Sequence, residues 1–115
     1  MPEKKFDVHE NISKPAEEAY RVLRTNIGFV SLNNKVKLLS IVSPSHGDGK
    51  TTTSINLAIS MATSGTRVLL IDADLRKPVI YKHFAGEQVL GLADVIAGKI
   101  DFHDAVSATE KENFY

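Results

Sequence analysis

An α/β fold, a doubly wound parallel sheet preceded by a separate N-terminal helix, is the class this sequence predicts, and three observations carry it. Two short, nearly continuous apolar runs, Lys37-Leu-Leu-Ser-Ile-Val-Ser43 and Arg67-Val-Leu-Leu-Ile71, have the composition of strands covered on both faces, as parallel sheets require. Between them Ile55, Ala58, Ile59 and Ala62 recur at helical spacing. Strand, helix and strand within about 35 residues form one βαβ unit, whose crossover is almost always right-handed.

Taken in order, residues 1–12 are polar and without period, which predicts a mobile arm. Ser13 is placed to cap a helix, Pro15 is tolerated in its first turn, and Glu17 and Glu18 suit the positive end of its dipole. Ala16, Tyr20, Leu23, Ile27 and Val30 form one apolar stripe that carries this helix to about Val30. Glu18, Arg21 and Arg24 lie three apart on another face. Asn33-Asn34 predicts a turn, and the chain divides there into an arm and helix over 1–36 and the sheet-forming part over 37–115. The second helix opens at Lys50, and Gly65 stands where a left-handed cap is wanted. After Pro78, two or three short helical pieces are expected, broken at Gly86, Gly91 and Gly98. Asn113-Phe114-Tyr115 reads as the start of a further strand.

Fourteen Lys and Arg balance fourteen Asp and Glu over the 115 residues, which removes the electrostatic argument for nucleic acid as a partner. Cysteine is absent. That excludes a disulfide scaffold, a thiolate zinc site, an iron–sulfur cluster and a Cys nucleophile. No run approaches the roughly 18 apolar residues needed to span a bilayer, and the N-terminus lacks the apolar stretch of a signal peptide. A cytoplasmic setting is expected.

Between the first apolar run and the second helix lies Pro44-Ser-His-Gly-Asp-Gly-Lys-Thr51, to be compared with G-x-x-x-x-G-K-[ST]. Gly49, Lys50 and Thr51 match, Gly47 adds a second permissive position, and Pro44 stands where the first glycine is usual. Successive amides of residues 47–51 can converge on phosphate oxygens only where side chains leave the curl unobstructed, and the helix N-terminus adds positive partial charge. Lys50 can then reach the terminal phosphates, and the Thr51 hydroxyl can ligate Mg²⁺. The context of a buried run before and a helix after predicts a P-loop, with a phosphate-bearing ligand and Mg²⁺ as its expected occupants, rather than a glycine-containing turn with a chance Lys-Thr.

The second run ends Leu69-Leu-Ile-Asp-Ala-Asp-Leu-Arg76, which sets Asp72 and Asp74 at the carboxyl edge of a parallel sheet, where ligands bind in such folds. Two residues apart, they project to the same side if the chain stays extended. One can hold the cation while the other takes a proton from an attacking hydroxyl. Arg76 can stabilise charge on a transferring phosphoryl group or pair with a carboxylate. His9, His46, His83 and His103 show no metal-ligand spacing.

These motifs together resemble a bacterial tyrosine kinase of the BY-kinase type. Glu18-x-x-Arg21-x-x-Arg24 resembles the family's oligomerisation motif, residues 43–52 its Walker A loop, and residues 69–76 its Walker A′ motif, with Lys77-Pro78 following as is usual there. The resemblance covers about residues 10–115. It implies nucleotide binding by Gly47, Asp48, Gly49, Lys50, Thr51 and Thr52, metal binding by Thr51, Asp72 and Asp74, and catalytic roles for Lys50, Asp72, Asp74 and Arg76. It implies ATP-dependent autophosphorylation on a tyrosine cluster, passed between subunits of a homo-oligomeric ring that packs through Glu18, Arg21 and Arg24. Protein substrates and a membrane-anchored modulator that recruits the kinase to the inner face of the membrane are the implied partners. Control of capsule and exopolysaccharide synthesis is the implied role. A member of the family is expected to continue beyond Tyr115 through a Walker B strand to the tyrosine cluster, and Tyr20, Tyr81 and Tyr115 do not form such a cluster. A ParA- or MinD-like positioning ATPase is the alternative of the same fold; it carries a signature lysine early in the loop, where Ser45 stands here. A non-catalytic nucleotide-binding fragment is the third reading.

Overall fold

The computed structural model describes residues 5–6, 12–32, 36–44, 49–84 and 90–115. Helix α1 spans Lys14–Val30. Ser13 caps it from an extended conformation: its hydroxyl accepts the Ala16 amide at 3.3 Å and its carbonyl the Glu17 amide at 3.0 Å. Pro15 falls in the first turn, where a missing N–H costs no intrahelical bond. Helix α2 spans Lys50–Thr63 and ends as expected, with Gly65 at φ 96° and its amide donating to the Ala62 carbonyl at 3.0 Å.

The core grows from the inner stripe of α2. Ile55, Ala58 and Ala62 are buried together with Phe84 and Phe114, and Ile59, Val68, Leu70 and Ile80 pack against them. Ile55 is wholly enclosed, worth roughly 1.5–3 kcal/mol of transfer free energy. Phe84 and Phe114 meet edge to face, centroids 5.7 Å apart at 78°. Helix α1 lies against α2 yet contributes no buried residue. Along its expected stripe Ala16, Tyr20 and Ile27 are half-buried, whereas Leu23 is 39% and Val30 79% exposed.

The second apolar run pairs as a parallel neighbour of the chain's last residues. Val68 bridges Phe114, with bonds from the Val68 amide to Asn113 (2.8 Å), the Tyr115 amide to Val68 (2.9 Å) and the Leu70 amide to Tyr115 (2.8 Å). The Arg67 guanidinium lies 5.8 Å from the Tyr115 ring centroid. Asn113, at φ 66°, occupies the left-handed region that Asn tolerates better than most residues. Beyond Pro78, where two or three short helical pieces are expected, three form: a 3₁₀ turn at Ile80–His83, helix α3 at Leu92–Ile96 and helix α4 at Phe102–Ala105. The Gly91 amide donates to Asp94 Oδ2 at 2.8 Å at the start of α3, and Gly98, at φ 75°, follows its end. Gly86 and the Asn33-Asn34 turn lie outside the described residues.

Two expectations need correction. A doubly wound sheet is not formed among the described residues: parallel pairing is confined to the Val68–Phe114 bridge and a two-residue ladder joining β1 (Lys5–Phe6) to β2 (Ala108–Thr109). Residues 37–43 have strand composition but no ladder, and Leu38 and Val42 are 80% and 86% exposed. Strand status is a relation between segments, and no described segment pairs with this one as a ladder. Second, the arm read as mobile from its lack of period has its Lys5–Phe6 backbone paired in register with Ala108–Thr109. Main-chain donors and acceptors pair whatever the side-chain pattern, and two residues are too few to show a period.

Candidate functional site

Gly49 opens α2 at φ 80°, ψ 14°, in the region where a side chain on an L-residue costs roughly 1–2 kcal/mol. The demand is on the backbone alone, because a Cβ there would meet nothing within 4 Å. The Gly49 carbonyl accepts the Thr53 amide at 2.8 Å, so the helix is engaged from its first residue. The amides of Lys50, Thr51 and Thr52 occupy the first turn, where helix geometry supplies no acceptor, at the positive end of the dipole. Lys50 and Thr52 are exposed and Thr51 half-buried. The next turn bonds back onto the first: Ser54 Oγ donates to the Lys50 carbonyl at 2.7 Å, and the buried Asn56 donates through Nδ2 to the Thr52 carbonyl at 2.9 Å. Gly47 and Asp48, with Ser45 and His46, lie outside the described residues.

The acidic motif departs from the extended geometry expected of it. The half-buried Asp72 folds its carboxylate back onto the following turn, accepting the Asp74 amide through Oδ1 at 3.1 Å, and the Val79 and Ile80 amides through Oδ2 at 2.9 and 3.1 Å. Asp74 Oδ1 accepts the Lys77 amide at 3.1 Å. Residues 72–80 therefore form a loop organised by the first aspartate, while Asp74 and Arg76 remain exposed. Local Asx bonding outcompetes the extended chain here. Nothing in the spacing of the motif signals the long-range acceptance from Val79 and Ile80; the turn-forming Pro78 is the nearest hint.

Asp72, Asp74 and Arg76 line a common cavity of about 390 Å³, otherwise walled largely by apolar side chains such as Leu70, Phe84, Leu92 and Phe114. Lys50 and Thr51, at the head of α2, are not among its lining residues. The structure thus brings together the three residues of the acidic motif, and separately the three described positions of the loop that open the helix.

On α1, Arg21 and Glu18 form an exposed ion pair one turn apart, which raises the Arg21 pKa chiefly through the hydrogen bond. Arg24 behaves differently. It turns towards α2, its Nη1 donating to the Ser60 carbonyl at 2.7 Å and lying 3.2 Å from Ser60 Oγ. Sequence reasoning missed this link, because spacing alone placed all three residues on one face.

A family described as "AAA domain" matches residues 36–115. The chain belongs to this family. Among curated proteins it is similar to the tyrosine-protein kinase YwqD of Bacillus subtilis (strain 168), 44% identical over 96 residues that make up 84% of this chain and 40% of the relative. It is 40% identical over 103 residues to the tyrosine-protein kinase CpsD of Streptococcus pneumoniae, covering 89% of this chain and 44% of the relative. The putative tyrosine-protein kinase CapB of Staphylococcus aureus is 34% identical over 106 residues, 92% of this chain and 46% of the relative. Among solved structures, the BceF tyrosine kinase domain superimposes with a TM-score of 0.76 at 33% identity, over 88% of this chain and 41% of that one. These matches bear out the resemblance to the bacterial tyrosine kinases and the P-loop fold. The chain spans less than half the length of the curated relatives named here.

Proposed function

We propose that this chain is the nucleotide-binding part of an ATP-dependent, autophosphorylating protein-tyrosine kinase that regulates capsule or exopolysaccharide synthesis. The observation that carries the reading is the head of α2. A left-handed Gly49 is followed directly by Lys50 and Thr51, which puts a cation and a hydroxyl in the first turn of a helix, at the end whose free amides and dipole suit a phosphate chain. Relatives named as tyrosine-protein kinases support it. Gly47, Asp48, Gly49, Lys50, Thr51 and Thr52 bind ATP in this reading, and Thr51, Asp72 and Asp74 would hold Mg²⁺. Hard oxygen donors of this kind fit that cation. When bound, the cation neutralises phosphate charge.

The reaction moves the terminal phosphoryl group of ATP to a tyrosine oxygen and releases ADP. The hydroxyl proton passes to a carboxylate of the acidic motif, for which Asp74 is the more accessible. Lys50 and Arg76 balance negative charge on the transferring group. The arm and helix over 1–36 serve assembly, Glu18, Arg21 and Arg24 packing one subunit on the next in a ring, and residues 37–115 form the nucleotide domain. A membrane-anchored modulator recruits the kinase from the cytoplasm, and no helix among the described residues is long and apolar enough to cross a membrane itself. The test is isothermal titration of Mg²⁺–ATP into the protein, wild type against Lys50→Met. Saturable binding that the substitution removes is expected, and equal binding by both would overturn the assignment.

A further inference from the structure

The three charged residues of α1 do not act as one unit in the folded chain. Glu18 and Arg21 satisfy each other, with side chains 58% and 61% exposed. Arg24, one turn further along, is half-buried and spends its guanidinium on the Ser60 carbonyl. Ser60 belongs to the last turn of α2 (Lys50–Thr63), where its carbonyl also accepts the Ser64 amide at 3.2 Å; the dipole is negative there and a carbonyl has two lone pairs, so a planar cation is a matched second donor. The tie adds to a packing in which Ala16, Tyr20 and Ile27 are only half-buried. No residue of α1 is buried, and Val22, Phe29 and Val30 are 50%, 66% and 79% exposed. Arg24 makes two side-chain hydrogen bonds between α1 and α2, both to Ser60. The helix it grips is the one whose other end, about 15 Å away at about 1.5 Å per residue, opens on Gly49 and Lys50.

We propose that Arg24 is a positioning residue: it seats α1 on the C-terminal turn of α2, so that the Glu18–Arg21 pair is presented in a set orientation to a second copy of this chain. The second half of that statement rests on the assembly reading given above; the first does not. Loss of Arg24 then weakens assembly indirectly, by freeing the helix, whereas loss of Glu18 and Arg21 weakens it at the contact itself.

Hydrogen exchange of the full-length protein, at concentrations where it is monomeric, separates the two. Arg24→Ala should speed exchange of the α1 amides by about tenfold or more relative to those of α2, since a charge-assisted bond is lost. Glu18→Ala with Arg21→Ala should leave them at the wild-type rate. By light scattering both variants should assemble less, and Arg24→Lys, which keeps the charge and N–H donors but not the planar fork, should recover part of the assembly and of the protection. Unchanged α1 exchange in Arg24→Ala overturns the proposal, whatever happens to assembly, and assigns the guanidinium to a neighbouring subunit. If Arg24→Ala also loses the protection of α2, Arg24→Lys and Arg24→Gln carry the comparison, and wild-type exchange in both overturns it. A wild-type protein that stays monomeric at every concentration overturns the assembly reading and the presentation of Glu18 and Arg21 with it, while the exchange rates still decide whether Arg24 seats α1.

Discussion

Lys50 stands one residue inside a helix whose N-cap is a left-handed glycine, the position on which the proposed phosphate contact rests. Lys50→Met should lower phosphotransfer in the complete protein by the equivalent of about 2–4 kcal/mol of transition-state stabilisation; phosphotyrosine on an immunoblot measures it, and an undiminished signal would remove Lys50 from the site. Asp72 and Asp74 differ more than their spacing suggests. Each replaced by Ala should cut transfer about 10²-fold or more, with nucleotide affinity falling less because Lys50 and the first-turn amides still hold the phosphates. The two variants should part company in hydrogen exchange. Asp72→Ala strands the Asp74, Val79 and Ile80 amides and should loosen residues 72–80, whereas Asp74→Ala removes one acceptor, that of Lys77.

At the scale of elements, α1 and α2 are well-formed helices of unequal attachment. Helix α2 carries the core through Ile55, Ala58 and Ala62, while α1 rides on it without a buried side chain. The exposed Glu18–Arg21 pair contributes little to holding α1 in place, as solvent-exposed pairs generally do. Such a helix is available for a partner. Replacing Glu18, Arg21 and Arg24 together with Ala should convert an oligomer of the complete protein into monomers while leaving Mg²⁺–ATP binding intact, measured by light scattering after gel filtration and by titration. An unchanged mass would return the motif to the role of solvated helix charges.

For the molecule as a whole, the buried side chains gather where α2 meets residues 68–70, Phe84 and Phe114. Phe114 is 1% exposed, and its neighbours pair in parallel with residues 68–70. Phe114→Ala should therefore cost about 3–5 kcal/mol of stability, read from chemical denaturation. Residues 1–115 alone should move no labelled phosphate from ATP onto Tyr20, Tyr81 or Tyr115, because these residues include neither the Walker B strand nor the tyrosine cluster expected of the family, and the three tyrosines are scattered and half-buried. Labelled tyrosine on this chain would show that the parts held indispensable here are not.

Helix ends, the glycine that opens α2 and the pieces after Pro78 were legible in the chain because each depends on a few adjacent residues: Ser13 reaches Ala16, Gly49 meets a local dihedral demand, Gly65 closes the turn before it. The residue types of the candidate site were legible for the same reason, since phosphate chemistry needs glycine, lysine and threonine in immediate succession. Contacts far apart in sequence were not. Which segment pairs with residues 67–71, that residues 37–43 stay without a ladder, that Lys5–Phe6 meets Ala108–Thr109, that Arg24 reaches Ser60 and that Asp72 turns back to Val79 and Ile80 were decided by tertiary structure. Periodicity records which face of an element is apolar but not what lies opposite it, and a guanidinium or carboxylate goes wherever the fold leaves a main-chain partner within reach.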